Sequence, residues 1–245
     1  MYYNLLPANL NKTMKALKSI IASLGCLLVP SIIVAQTHSI TASYLNVDAG
    51  SNGLLNSVAR ATGEPSYGDD LDEAPGFSIE WRTLPIDGIS FGLEYIYFST
   101  EAAVNGNATA QEAIDLNNLL GTNLQGGATQ IKEEYTANSY LFNVAYDVEV
   151  GYKLNAYVAA GAGFSHINQE LSLSNPGLSG SVDDSDTVFA YQFKVGLRYA
   201  LNESWSVQSG VRYLDYQDFD FSYDGVIITG DGDVTAFEFG LSYAY

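Results

Sequence analysis

Seven ionisable side chains stand beside large apolar neighbours, and chemistry would be sought there first. Glu80, Arg82, Glu94, Lys194, Arg198, Arg212 and Glu238 occur in stretches such as Phe77-Ser-Ile-Glu-Trp-Arg82 and Phe189-Ala-Tyr-Gln-Phe-Lys-Val-Gly-Leu-Arg198. A charge withdrawn from water is costly unless it is paired. The chemistry expected of these residues is therefore ion pairing, with Glu80, Glu94 and Glu238 meeting Arg82, Lys194, Arg198 or Arg212. Such a network fills an interior; the competing reading is an ion pathway.

Other reactive types are sparse. The chain has two histidines, His38 and His166, and Ser165 precedes the second. A hydroxyl beside an imidazole is the minimal nucleophile–base pair, but it needs an acid and a defined geometry. The pairing is common by chance. No catalytic residue and no cofactor is expected. Asp224, Asp231 and Asp233, and separately Asp183, Asp184 and Asp186, offer the hard oxygen ligands that calcium takes. Neither set completes a calcium-loop pattern, and a run of acids is usually a solvated face. The single cysteine, Cys26, excludes an internal disulfide framework and a cysteine-based zinc cluster.

These residues are embedded in a chain of 245 residues that is 47% hydrophobic and 16% charged, with a formal net charge of −18. That length suits one domain. The acidity argues against a nucleic-acid partner, which needs a basic face. With 18 Tyr, 11 Phe and 2 Trp, the composition is too aromatic for a solvated coil.

Lys15 and Lys18 precede the apolar run Ser19–Ala35, which contains Cys26 and Pro30. A basic segment, an apolar segment and a small residue at the exit describe a secretory signal peptide. Residues 1–35 are expected to be that signal, with Met14 the better start and cleavage between Ala35 and Gln36. The mature domain, residues 36–245, then carries 28 acids and seven bases.

Beyond the signal, no stretch reaches the roughly 18 apolar residues of a spanning helix. What recurs is period-two alternation over about ten residues, the pattern of a strand with two unlike faces. Seven such strands are centred on Phe77–Arg82, Ile89–Tyr97, Tyr140–Glu149, Val158–Phe164, Phe189–Tyr199, Trp205–Tyr213 and Phe237–Tyr245. An eighth, His38–Asp48, is less regular, and its facing stays open. Three links are short: Pro85–Gly88, Val150–Lys153 and Leu201–Ser204. Four are long: Ala49–Pro75, Thr100–Ala137, His166–Asp186 and Gln217–Gly232. In an up-and-down meander the short links share one rim and the long ones the other. Within Thr100–Ala137, Ala113, Leu116 and Leu120 have helical spacing, and Thr109 with Glu112 forms a capping box.

The expected fold is all-β: an eight-stranded antiparallel up-and-down transmembrane β-barrel. Hydrocarbon leaves a sheet edge without partners, so the sheet must close. Eight strands leave a bore that side chains fill. The long links and their rims hold 20 of the 28 acids, with Arg60 and Lys132 the only bases there. Two aromatic girdles are expected, one of Trp81, Tyr146, Tyr199, Trp205 and Tyr243 and the other of Tyr97, Tyr140, Tyr191 and Tyr213.

The final strand, with Phe237, Phe239, Leu241, Tyr243 and Tyr245 at alternate positions, resembles the C-terminal assembly motif of bacterial outer-membrane barrels. Leu154-Asn-Ala-Tyr-Val-Ala-Ala-Gly-Ala-Gly-Phe164 and Gly210-Val-Arg-Tyr213 resemble strands of the small opacity-type, OmpA-like surface proteins, with Ala156 where a proline is common. The comparison extends to the barrel domain alone.

The resemblance implies a bacterial outer-membrane location, with long loops extracellular and both termini periplasmic. It implies outer-membrane lipid, lipopolysaccharide and the barrel assembly machinery as partners. It also implies a non-enzymatic surface protein, serving recognition, adhesion to a host or cell-surface ligand, or envelope integrity. The alternative is a narrow pore. The lipid A deacylases of similar size carry His and Ser on the seventh strand, whereas Ser204–Asp218 here contains no His.

Overall fold

Asp87 and Gly88 both take positive φ, 53° and 86°. Consecutive left-handed residues make the turn whose twist matches a β-hairpin, which is why Asp-Gly suits it. Ile86 and Ile89 flank the turn and exchange both backbone hydrogen bonds at 2.9 Å. Turns of this kind join strands that run straight into one another. The computed structural model describes residues 38–48, 73–108, 127–175, 178–223 and 226–245. Within them lie β1 (His38–Asp48), β2 (Ala74–Thr83), β3 (Ile89–Ala108), β4 (Gly127–Gly151), β5 (Leu154–Asn175), β6 (Leu178–Ala200), β7 (Trp205–Tyr223) and β8 (Val226–Ala244).

All neighbouring strands pair antiparallel, and β1 pairs with β8, so the sheet is a closed barrel. Its outward face is apolar around the circumference. Tyr140, Phe142, Val144, Tyr146 and Val148 of β4, and Phe237, Phe239, Leu241 and Tyr243 of β8, are exposed. The residues between them point into the bore: Asn143 is 1% exposed and Glu238 2%. Such an inversion suits a solvent of hydrocarbon. The first strand faces the same way, with Ser39, Thr41, Ser43, Leu45 and Val47 buried inside and Tyr44 outside. At the short-turn end Trp205 packs on Tyr243, with ring centroids 4.8 Å apart, and at the other end Tyr95 packs on Tyr140 at 5.2 Å.

Three of the four long links are shorter than alternation suggests. The ladder between β3 and β4 continues to Ala108 opposite Gly127, and that between β5 and β6 to Asn175 opposite Leu178. The β7–β8 ladder reaches Tyr223 opposite Val226, after a register shift between Tyr216 and Phe219. Backbone pairing persists here although the side chains no longer alternate. Beyond the apolar band neither face meets lipid, so hydrophobicity stops reporting the strand. The helix expected at Thr109–Leu120, residues 49–72 of the first link, and the signal segment with its Ala35–Gln36 junction lie outside the described residues.

The barrel wall divides at this end. The last pair between β6 and β7 is Ala190 with Tyr216. Past it, β3–β6 continue as one projecting sheet and β7–β8 as another. A bond from the Asp220 amide to the Asp186 carboxylate, 2.9 Å, crosses between them.

Candidate functional site: the lumen and the projecting wall

Inward charges occupy the middle of the bore and the half toward the short turns. Arg212 of β7 reaches Glu94 of β3 at 2.7 Å and Glu238 of β8 at 2.6 Å. Lys194 of β6 reaches Glu80 of β2 at 3.2 Å and Glu94 at 3.0 Å. In a closed ring of eight, β3 lies opposite β7 and β2 opposite β6, so the Arg212–Glu94 and Lys194–Glu80 pairs cross the lumen, whereas Arg212–Glu238 joins neighbouring strands. Arg82 meets Glu80 on its own strand at 2.9 Å. Arg198 meets Asp147 at 2.8 Å, and Arg82 approaches the same carboxylate at 3.7 Å.

Neutral polar groups complete the lattice. Asn143 donates to Glu80 at 2.9 Å and to Glu94 at 2.8 Å. Gln192 donates to Glu94 and to the Asn143 carbonyl oxygen, each at 2.7 Å. The seven charged residues singled out in the sequence thus come together, and Asp147 joins them, because Arg198 reaches no glutamate. Glu149, on the same strand, is exposed at the short-turn rim. Around the lattice that leaves four acids, Glu80, Glu94, Asp147 and Glu238, against four bases, Arg82, Lys194, Arg198 and Arg212; a further buried acid, Glu133, lies toward the long-strand end of β4, where Gln169 and Tyr135 donate to it. Buried in so small a bore, an unbalanced set would carry an uncompensated charge.

Tyr157, which alternation alone does not single out, organises the short-turn half. It is 1% exposed, donates its hydroxyl to Glu238, and has the guanidinium groups of Arg82 and Arg198 5.8 and 5.4 Å from its ring centroid. Its space comes from Gly196 and Gly210, which pair directly on β6 and β7. A Cβ on either would lie 2.6 or 2.8 Å from the Tyr157 hydroxyl. The signal in sequence is the pair of small residues at matching inward positions, which leaves room for one large side chain from elsewhere.

Toward the long strands the lumen gains a large apolar cluster, although Thr100, Glu133, Ser139, Ser165 and Gln169 are buried in this half as well. Leu45, Val47, Ile96, Phe98, Ala137, Leu141, Ile167, Val188, Ala190, Leu214, Tyr216, Phe219, Val234 and Ala236 form one buried cluster. Seven strands contribute. The rings of Phe98 on β3 and Tyr216 on β7 meet across the bore, 6.4 Å between centroids.

Ser165 and His166 do not form a pair. Ser165 is buried inside and accepts a hydrogen bond from Ser139 at 3.0 Å, whereas His166 is exposed outside, with Nδ1 3.0 Å from the Thr187 hydroxyl. Consecutive strand residues face opposite ways, so the two cannot act on one substrate. His38 is stacked on Trp81, with centroids 4.9 Å apart.

Of the calcium candidates, Asp224 lies outside the described residues. Asp231 is described by its backbone in β8. Asp233 is paired opposite Asp215 and lines a cleft of about 530 Å³ with Tyr191, Tyr216 and Asp218. Among the described residues no three His, Cys, Asp or Glu side chains assemble as a metal site.

The outer faces of the projecting sheet are acidic. Glu101, Glu134, Glu170 and Asp183 stand directly opposite one another on β3, β4, β5 and β6. Lys132 bridges Glu101 at 2.8 Å and Glu134 at 3.6 Å. The hydrogen bond to Glu101 holds the Lys132 ammonium above the ordinary lysine range. Glu170 and Asp183 share a cavity of about 300 Å³ with Glu134, Asn168 and Asp184.

A family model described as the outer membrane protein beta-barrel domain matches residues 24–244. The chain belongs to this family. This member of the outer membrane beta-barrel family is accordingly a protein of the bacterial outer membrane. Its fold is similar to that of neisserial surface protein A, with a TM-score of 0.51 at 12% identity, over 85% of this chain and 97% of that one. Ail, the attachment invasion locus protein of Yersinia pestis, aligns at 12% identity with a TM-score of 0.44, over 86% of this chain and all of that one (100%). The outer membrane protease OmpT from Escherichia coli aligns at 9% identity with a TM-score of 0.45, over 89% and 99%. At such identities the likeness is one of fold. No curated protein matches the chain.

Proposed function

We propose that this barrel is a non-enzymatic surface protein. Its outward apolar band anchors it in the outer membrane, and its projecting sheets recognise a partner outside the cell. The short turns, His38 and Tyr245 then face the periplasm, and the long-strand rim stands among the lipopolysaccharide. The observation that carries the reading is the four-strand row of carboxylates, Glu101, Glu134, Glu170 and Asp183, on a wall that rises past the apolar band. Like charges placed opposite one another cost stability in a sheet. A row of four, with one lysine beside it, suits a surface that meets a basic partner on a host or neighbouring cell. Recognition is usually carried by segments held on a rigid scaffold.

A non-enzymatic reading is supported by the opposite facing of Ser165 and His166, and by charged residues that are engaged with one another inside the lumen. A narrow pore is the weaker reading, because side chains fill the bore, with the rings of Phe98 and Tyr216 in contact across it. The last strand, with Phe237, Phe239, Leu241, Tyr243 and Tyr245 outward, is the segment we assign to recognition by the barrel assembly machinery.

The test uses intact cells expressing the full chain. Added protease should trim the projecting sheets and leave a membrane-protected barrel. Adhesion of those cells to an epithelial monolayer should fall for Glu134→Lys/Glu170→Lys. Unchanged adhesion, with the variant present at wild-type level, would count against recognition by this wall; full protection from protease would reverse the orientation.

A further inference from the structure

The lumen contains two unlike barriers in series, and they do not resist ions equally. One is the lattice around Glu80, Glu94, Lys194, Arg212 and Glu238; the other is the apolar tier between it and the long-strand rim. We infer that the apolar tier, crossed by Phe98 against Tyr216, is the permeability barrier of this barrel, and that the ion-pair lattice is not.

The two layers offer a hydrated ion different surroundings. Apart from the ring of Tyr157, the lattice presents carboxylates, guanidinium groups, an ammonium and amides, so water entering it finds donors and acceptors, and an ion finds countercharges. An ion can exchange partners there, as ions do in filters lined by charged or polar rings. The tier offers an ion no countercharge, and its hydroxyls, on Ser139, Ser165 and Tyr216, are bonded among themselves. Leu45, Ile96 and Leu214 are each 1% exposed, and Phe98 is 3%. An ion there would lose its hydration without gaining an opposite charge. Apolar constrictions block passage by dewetting even where the opening is wider than the ion.

Geometry makes the tier continuous. The cluster draws on seven of the eight strands, and β2 adds Ala74, also buried. Phe98 and Tyr216 come from strands on opposite sides of the ring, so their contact spans the bore rather than lining it. The Tyr216 hydroxyl lies 3.4 Å from that of Ser139. The tier also adjoins the point where β6 and β7 part, since Ala190 and Tyr216 are their last pair. It thus closes the lumen at the level where the wall itself ceases to be closed. The inference holds whether or not the projecting wall binds a partner.

Planar lipid bilayers carrying the refolded mature domain test it. Scored variants are those whose unheated and boiled forms still differ in detergent-gel mobility. The lattice variant Glu94→Gln/Lys194→Met should remain as silent as wild type. Phe98→Ser/Tyr216→Ser, with the lattice intact, should give resolved conductance steps. If that pair does not fold, Leu214→Ser with Ile96→Ser carries the same expectation. Steps from the lattice variant, or silence from a folded tier variant, would overturn the assignment.

Discussion

His38 and Tyr245 exchange both backbone hydrogen bonds, 3.3 Å from the His38 amide to the Tyr245 carbonyl and 2.9 Å in return. These two residues close the ring where β1 meets β8. The His38 imidazole also lies between Trp81 and Tyr245, at 4.9 and 6.2 Å between centroids. The seam is therefore held by backbone and by rings together.

Ending the chain at Ala244 should impair closure more than Tyr245→Ala, because the first removes two hydrogen bonds and a ring and the second removes the ring alone. The fraction of protein showing the folded gel mobility after refolding into detergent measures both. Equal loss from the two changes would place the effect in the ring and not in the seam.

Arg212 holds two glutamates, so Arg212→Met should destabilise the barrel by about 3–5 kcal/mol, the usual cost of breaking a buried ion pair from one side. Adding Glu238→Gln should restore most of that, since Glu94 keeps Lys194 and the lattice returns to three charges of each sign. Thermal midpoints from heat-dependent gel mobility give both numbers. A double variant no more stable than the single one would mean that the loss arises from packing.

Gly196→Ala should cost about 1–3 kcal/mol, as overpacking does. Its Cβ would press on the Ser209 carbonyl as well as on the Tyr157 hydroxyl, and backbone cannot yield as a side chain can. Tyr157→Phe should cost about 1 kcal/mol, because Glu238 keeps Arg212 when the phenol is lost. Urea unfolding in lipid vesicles separates the two.

Lys132 illustrates a pair of small effect. Its ammonium is held above the ordinary lysine value of 10.5 by Glu101. Stability from that pair is present in full below the unfolded value and is lost as pH rises through the raised folded one. With the side chain 38% exposed, solvent screens it, so Lys132→Met should change stability by under about 1 kcal/mol at pH 7. The difference from wild type should shrink further at strongly alkaline pH. A midpoint shift that persists there would assign Lys132 a packing role.

The eight membrane strands can be read from sequence because lipid outside and charge inside impose a period of two, as in Phe237-Glu-Phe-Gly-Leu-Ser-Tyr243. Two features escape that reading for opposite reasons. At Tyr95-Ile-Tyr-Phe98 and Tyr140-Leu-Phe142 both faces are apolar, one toward lipid and one toward the tier, so alternation collapses into a run. At Lys132-Glu-Glu134 both faces are polar, so the strand resembles a loop. Asp147 falls at an inward position by alternation, but its partnership with Arg198 depends on strands two apart in the ring and on no local pattern. The collapse of alternation at the same end of several strands is the clue to a second, apolar layer.

The parting of β6 from β7 has a consequence for how this molecule can diverge. Each projecting ribbon hydrogen-bonds within itself, so its tip can gain or lose residues in twos without re-registering anything in the bilayer. Hairpin height is thereby a free variable of this architecture, while the cylinder beneath stays constant.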